Sequence, residues 1–217
     1  FVFVAGGVGS KGDNVGTARE IIGPRDFITV SLPLFQRVYD PQEQPGGGLA
    51  ITVDDFEVLR CAYRTMLGWL MQTVTNTAPE RSTLGGFSNG AHATALLVAG
   101  GDAFTLEHFR QFVFIDGGAQ FLAPFGLGSP KLAQCRLLLL RGDQHEMKTM
   151  RQGQPPVDVR AFLDKIFDAV DGMARARGLD WTQVVMRGRG HGFEPEFRKV
   201  VGQWARGEKM DEVAPKE

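Results

Sequence analysis

Six short apolar runs, set apart by helix-patterned or glycine-rich sequence, constrain the fold of this 217-residue chain more than any other feature. They are residues 1–4 (FVFV), 26–32 (DFITVSL), 82–87 (STLGGF), 112–115 (FVFI), 136–140 (RLLLL) and 183–186 (QVVM). Most are apolar on both faces, as a strand covered by helices above and below must be. Residues 54–74 place Leu59, Tyr63, Met66, Leu67 and Leu70 at i, i+3, i+4 spacing, and residues 158–177 repeat the pattern with Phe162, Leu163, Ile166, Phe167 and Val170. A further helix is expected over residues 195–206. Asp54 and Glu57 form a candidate capping pair for the first helix; Pro155 and Pro156 precede the second, and Gly178 closes it. This alternation predicts an α/β fold, an open and mostly parallel sheet of about six or more strands with helices on both faces.

Composition narrows the partners. Hydrophobic residues make up 43% of the chain, enough for one real core, so residues 1–207 read as a single domain and 208–217 as a polar tail. A net charge of −1 and the lack of a basic run give no reason to expect nucleic acid or an anionic membrane as partner. No apolar run approaches the ~20 residues of a membrane-spanning helix. Cys61 and Cys135 have no Cys or His neighbour at metal-ligand spacing and read as spectator thiols; no metal or organic cofactor is implied. The chain opens on Phe1 in mid-strand without Met, which reads as a processed or trimmed end and favours a periplasmic or secreted location.

In parallel sheets reactive groups gather where the strands end at their carboxyl edge. The first run exits into AGGVGSKGDN, the third into Ser88, the fourth into Asp116-Gly117-Gly118, the fifth into Arg141-Gly142-Asp143 and the sixth into RGRGHGF, which carries His191. Ser88 lies in Gly86-Phe87-Ser88-Asn89-Gly90, a G-x-S-x-G pattern between a strand and a helix. Turning that sharply forces the serine into a sparsely allowed conformation, and flanking glycines remove the Cβ atoms that would clash. The Asn89 amide, at the start of the following helix, is positioned to donate to a developing oxyanion; Gly7, then Val8, is the expected second donor. His191, on a glycine-rich loop, is the candidate base. His92, one helical turn after Ser88, and His108 read as packing residues, His92 also as a support for the site. The stretch GGVGSKG does not fit a phosphate-binding G-x-x-x-x-G-K-[ST] loop.

Taken together, FVFVAGG, GGFSNGAH, CRLLLLRGD and GRGHGF resemble the α/β-hydrolase superfamily along essentially the whole chain, and GFSNGA resembles its polyhydroxybutyrate-depolymerase and feruloyl-esterase branch. The resemblance implies a serine esterase in which Ser88 attacks an ester carbonyl and His191 shuttles the proton. Family members commonly place the acid three residues after the glycine ending the fifth run, where this chain has His145. Asp143 ranks first as the acid, Glu146 second and Asp116, one strand earlier, third; Asp143 has an alternative use in fixing its loop through backbone bonds. Should no carboxylate meet His191, the chain would be an impaired hydrolase kept as a binding protein. Amide hydrolysis ranks below ester hydrolysis, because no charged specificity pocket is recognisable. No long insertion precedes the histidine loop, so a large lid is not expected and the site suits small-molecule or polymeric esters. The loop 33–53, with Phe35 and Tyr39, serves equally well as a substrate wall or as ordinary surface.

Overall fold

Each of the six apolar runs contains a strand in the computed structural model, which describes residues 1–6, 14–35, 37–38, 49–125, 127–144 and 159–215. In chain order the elements are β1 (Val2–Val4), α1 (Val15–Ile22), β2 (Val30–Leu32), β3 (Arg37–Val38), β4 (Leu49–Ala50), α2 (Phe56–Thr73), β5 (Thr83–Phe87) and α3 (Asn89–Ala99). There follow α4 (Ala103–His108), β6 (Gln111–Ile115), α5 (Ala119–Phe125), β7 (Arg136–Gly142), α6 (Val159–Ala176), β8 (Asp180–Met186) and α7 (Pro195–Arg206). Six strands form one sheet in the order β2-β1-β5-β6-β7-β8, every pair parallel, while β3 and β4 make a separate antiparallel pair.

The doubly apolar character of the runs follows from this arrangement. Along β6 and β7, Phe112, Phe114, Leu137 and Leu139 enter a core shared with α2, α3 and α6. Their neighbours Val113, Ile115, Leu138 and Leu140 point the other way, into a core closed by α1 and α7. Alternation with period two thus serves two hydrophobic layers, so neither face of the central strands is polar.

Three boundaries differ from expectation for local reasons. Asp26 has φ 72°, a backbone turn that keeps residues 26–29 out of the sheet and shortens β2 to three residues. A short 3-10 turn over Val53–Asp55 precedes α2, and Asp55, not Asp54, makes the cap: its Oδ2 accepts from the Thr52 amide at 2.8 Å and hydroxyl at 3.1 Å. Glu57 instead pairs with Arg60 at 2.5 Å. The helix α6 runs out at Gly178, whose φ of +63° suits a residue without Cβ; Pro155 and Pro156, on its other side, lie outside the described residues. Beyond α7 the chain does not hang free: the Asp211 amide donates to Gln203 Oε1 at 2.9 Å, Lys199 pairs with Asp211 at 2.7 Å, and Met210 and Val213 pack on the second core.

Candidate active site

The G-x-S-x-G segment forms a strand-to-helix elbow. Ser88 has φ 54° and ψ −121°, between the last residue of β5 and the first of α3. A Cβ on Gly86 would lie 2.3 Å from the carbonyl carbon and oxygen of Gly90, and one on Gly90 would lie 2.0 Å from the Val4 carbonyl oxygen. Both distances are below van der Waals contact, so the glycines permit the helix to cross that close over β1 and β5. Gly6, at the exit of β1, is equally confined; its Cβ would sit 2.5 Å from Ser88 Cβ. The positive end of the α3 dipole, beginning with the Asn89 amide, thereby faces the space beside the serine hydroxyl. Gly7, Val8 and Glu146 lie outside the described residues.

Register decides which carboxylate reaches the site. Phe87 pairs with Ile115 across β5 and β6, so the next residues, Ser88 and Asp116, occupy adjacent strand tips. The loop after β8 then crosses over the end of β7: a Cβ on Gly142 would meet the Gly190 carbonyl oxygen at 2.4 Å and that of Arg189 at 2.6 Å. This crossing sets His191 between its two partners. Its Nε2 lies 2.9 Å from Ser88 Oγ and its Nδ1 2.5 Å from Asp116 Oδ2. An ionised carboxylate only accepts, so Nδ1 carries the hydrogen and Nε2 is the basic nitrogen facing the hydroxyl. The imidazole also stacks on Phe87, with ring centroids 5.1 Å apart and planes 22° from parallel. Asp116 is wholly buried at its side chain while that of His191 is 45% exposed, so the group opens to solvent through the histidine.

Asp143, ranked first from the sequence, does not touch His191. Its Oδ1 accepts the Gly188 amide at 2.8 Å, and the neighbouring Gln144 amide donates to the Arg189 carbonyl at 2.8 Å. The reason for the correction is geometric: β7 is one strand farther from β5 than β6 is, and its exit is occupied in tethering the histidine loop. Asp116 is fixed by the Leu140 carbonyl, which accepts its amide at 2.8 Å, and by the Gly142 amide, which donates to Oδ1 at 3.2 Å. It adopts φ 49°, and Gly118 two residues later φ 88°.

His108 packs on Phe104, with centroids 4.2 Å apart, and Cys61 and Cys135 are free thiols, the first exposed and the second buried. Phe35, part of the loop 33–53, packs edge-on against Tyr63 with centroids 5.7 Å apart; Tyr39 lies outside the described residues. Sequence reasoning missed Arg189, which is buried beneath the histidine loop and pairs with Glu196 at 2.7 Å and Glu194 at 3.7 Å. The two acids that follow it in GRGHGFEPE were the available signal.

This arrangement of sheet, elbow and histidine loop is the α/β-hydrolase fold. SOBER1 from Arabidopsis thaliana superposes with a TM-score of 0.57 at 13% identity, over 95% of this chain and 96% of that one. A serine-to-alanine mutant of the feruloyl esterase module from Clostridium thermocellum, complexed with sinapinate, gives 0.54 at 11% identity, covering 98% and 80%. A phospholipase/carboxylesterase from Dyadobacter fermentans gives 0.50 at 12% identity, covering 94% and 88%. No family model matches the chain, and no curated protein matches its sequence.

Proposed function

We propose that the chain is a serine hydrolase that cleaves carboxylic esters through an acyl-enzyme intermediate. The observation that carries this reading is one imidazole held between a strained serine hydroxyl at 2.9 Å and a buried carboxylate at 2.5 Å. In the first step His191 Nε2 takes the Ser88 proton as Oγ adds to the ester carbonyl. The resulting imidazolium is stabilised by Asp116, and its proton passes to the departing alkoxide. Water, deprotonated by the same nitrogen, then releases the acid and restores the serine. The Asn89 amide, with the expected partner Gly7, stabilises the oxyanion of each tetrahedral intermediate. Esterases among the structural neighbours support ester over amide substrates. The alternative of an impaired hydrolase depended on no carboxylate meeting His191, and Asp116 speaks against it.

The test is hydrolysis of p-nitrophenyl acetate together with labelling by a fluorophosphonate. Ser88→Ala is expected to abolish both while shifting Tm by less than about 2 °C, since it removes one partly exposed hydroxyl. Undiminished turnover in that variant would remove Ser88 from the mechanism.

A further inference from the structure

Beside the serine lies a second imidazole that the mechanism above leaves unused. His92 sits one turn into α3, and its Nδ1 accepts the Gly118 amide at 2.7 Å while its Nε2 faces the Gln120 side-chain amide at 3.0 Å. Accepting at Nδ1 requires the neutral tautomer with hydrogen on Nε2, which donates to the Gln120 side-chain amide turned so that its oxygen faces the ring. Removal of the ring from water, with a smaller contribution from the charge of His191, lowers its pKa from 6.5 to about 4 and keeps it in that form.

Gly118 is the residue at which the chain leaves the Asp116 turn and enters α5. The turn is unusual at every position. Asp116 is left-handed at φ 49° and Gly118 has φ 88°. Gly117 between them is so confined that a Cβ there would meet Ser88 O at 2.6 Å and His92 Cε1 at 2.9 Å. A buried amide in such a turn needs an acceptor, and the turn shifts toward one when the native partner is removed. We propose that His92 is a positioning residue, whose acceptance of the Gly118 amide sets the Asp116 turn so that the carboxylate meets His191. The role rests on the hydrolase reading for its effect on turnover. Its effect on the His191–Asp116 contact is independent of that reading. Through α3 the same side chain also links the two strand tips, because Ser88 and His92 share a helix end: the His92 amide donates to the Ser88 carbonyl at 3.0 Å.

Two substitutions separate acceptor from bulk. His92→Phe keeps a flat ring and loses the acceptor, whereas the Oδ1 of Asn in His92→Asn falls near the place of Nδ1. Steady-state p-nitrophenyl acetate kinetics are expected to show kcat reduced about tenfold to a hundredfold in His92→Phe with KM within about twofold, and His92→Asn close to the wild type. In the proton NMR spectrum, the far-downfield resonance of the His191 Nδ1–H bonded to Asp116 is expected to weaken or move in His92→Phe and to persist in His92→Asn. His92→Ala serves as a second acceptor-less variant if the phenyl ring prevents folding. Wild-type kcat and an unmoved resonance in the acceptor-less variant overturn the proposal, and so does an equal loss in His92→Asn. A wild type that shows the resonance but neither hydrolyses the ester nor takes the label defeats the hydrolase reading alone.

Discussion

At the scale of single residues, the two aspartates at neighbouring strand exits make opposite predictions. Asp116→Asn takes the negative charge from beside His191 and offers the wrong tautomer an acceptable partner, so kcat for p-nitrophenyl acetate is expected to fall about 10⁴-fold. Asp143→Asn keeps an oxygen for the Gly188 amide, so its loss is expected to stay within about tenfold. The reverse order in those kinetics would return the acid to β7. His92 supplies a prediction in pH. Its folded pKa is about 4 and its ordinary value 6.5, so between those pH values the unfolded chain binds a proton that the folded chain refuses. Stability therefore falls as pH drops through that window, by up to about 3 kcal/mol from this group alone. Urea unfolding at pH 7 and pH 4.5 is expected to show a smaller drop for His92→Asn than for the wild type, because asparagine does not titrate. Ser88 and His191, which the fold brings to 2.9 Å of each other, stood out in the sequence because their types and loops are restrictive in themselves. The carboxylate that meets the imidazole did not. Several carboxylates stand at strand exits, and the choice among them depends on which strands are neighbours and in what register, which no local pattern records.

At the scale of elements, the elbow is the most demanding piece of the fold. Gly90→Ala would drive a methyl group against the Val4 carbonyl, 2.0 Å away, and neither backbone can yield without parting α3 from β1. A loss of about 2 kcal/mol or more is expected in urea unfolding, with activity falling alongside as Ser88 shifts. Asp55→Ala, which removes the acceptor for the Thr52 amide at the head of the 3-10 turn leading into α2, is expected to lower stability by about 1 kcal/mol and leave ester hydrolysis intact. Strands and long helices were readable because burial on both faces of the sheet and one face of each helix writes a period directly into the side chains. Residues 26–29 were misread because DFITVSL looks continuous, whereas the positive φ of Asp26 breaks it; only neighbours in space decide such a bend. The capping pair expected as Asp54 and Glu57 is instead Thr52 and Asp55, two residues earlier, because a 3-10 turn precedes α2 and takes the cap.

At the scale of the whole molecule, the composition of residues 208–217 reads as a polar tail. Two apolar side chains in it, Met210 and Val213, nevertheless close the edge of the core under α7. Ending the chain after Gly207 is therefore expected to destabilise it by roughly 2 kcal/mol, measured as a lower urea midpoint. The placement of the reacting groups along the chain has its own consequence. Ser88 and Asp116 come together through the single crossover β5–α3–α4–β6, but the imidazole joining them arrives from 75 residues beyond the aspartate and 103 beyond the serine. Short-range contacts form faster than distant ones. A ribosome-bound or clipped chain lacking β8 and the loop after it thus displays a serine with no base beside it. On the proposed reading, potency arrives only with the closing stretch of polypeptide, so an unfinished copy would be harmless to the esters around it.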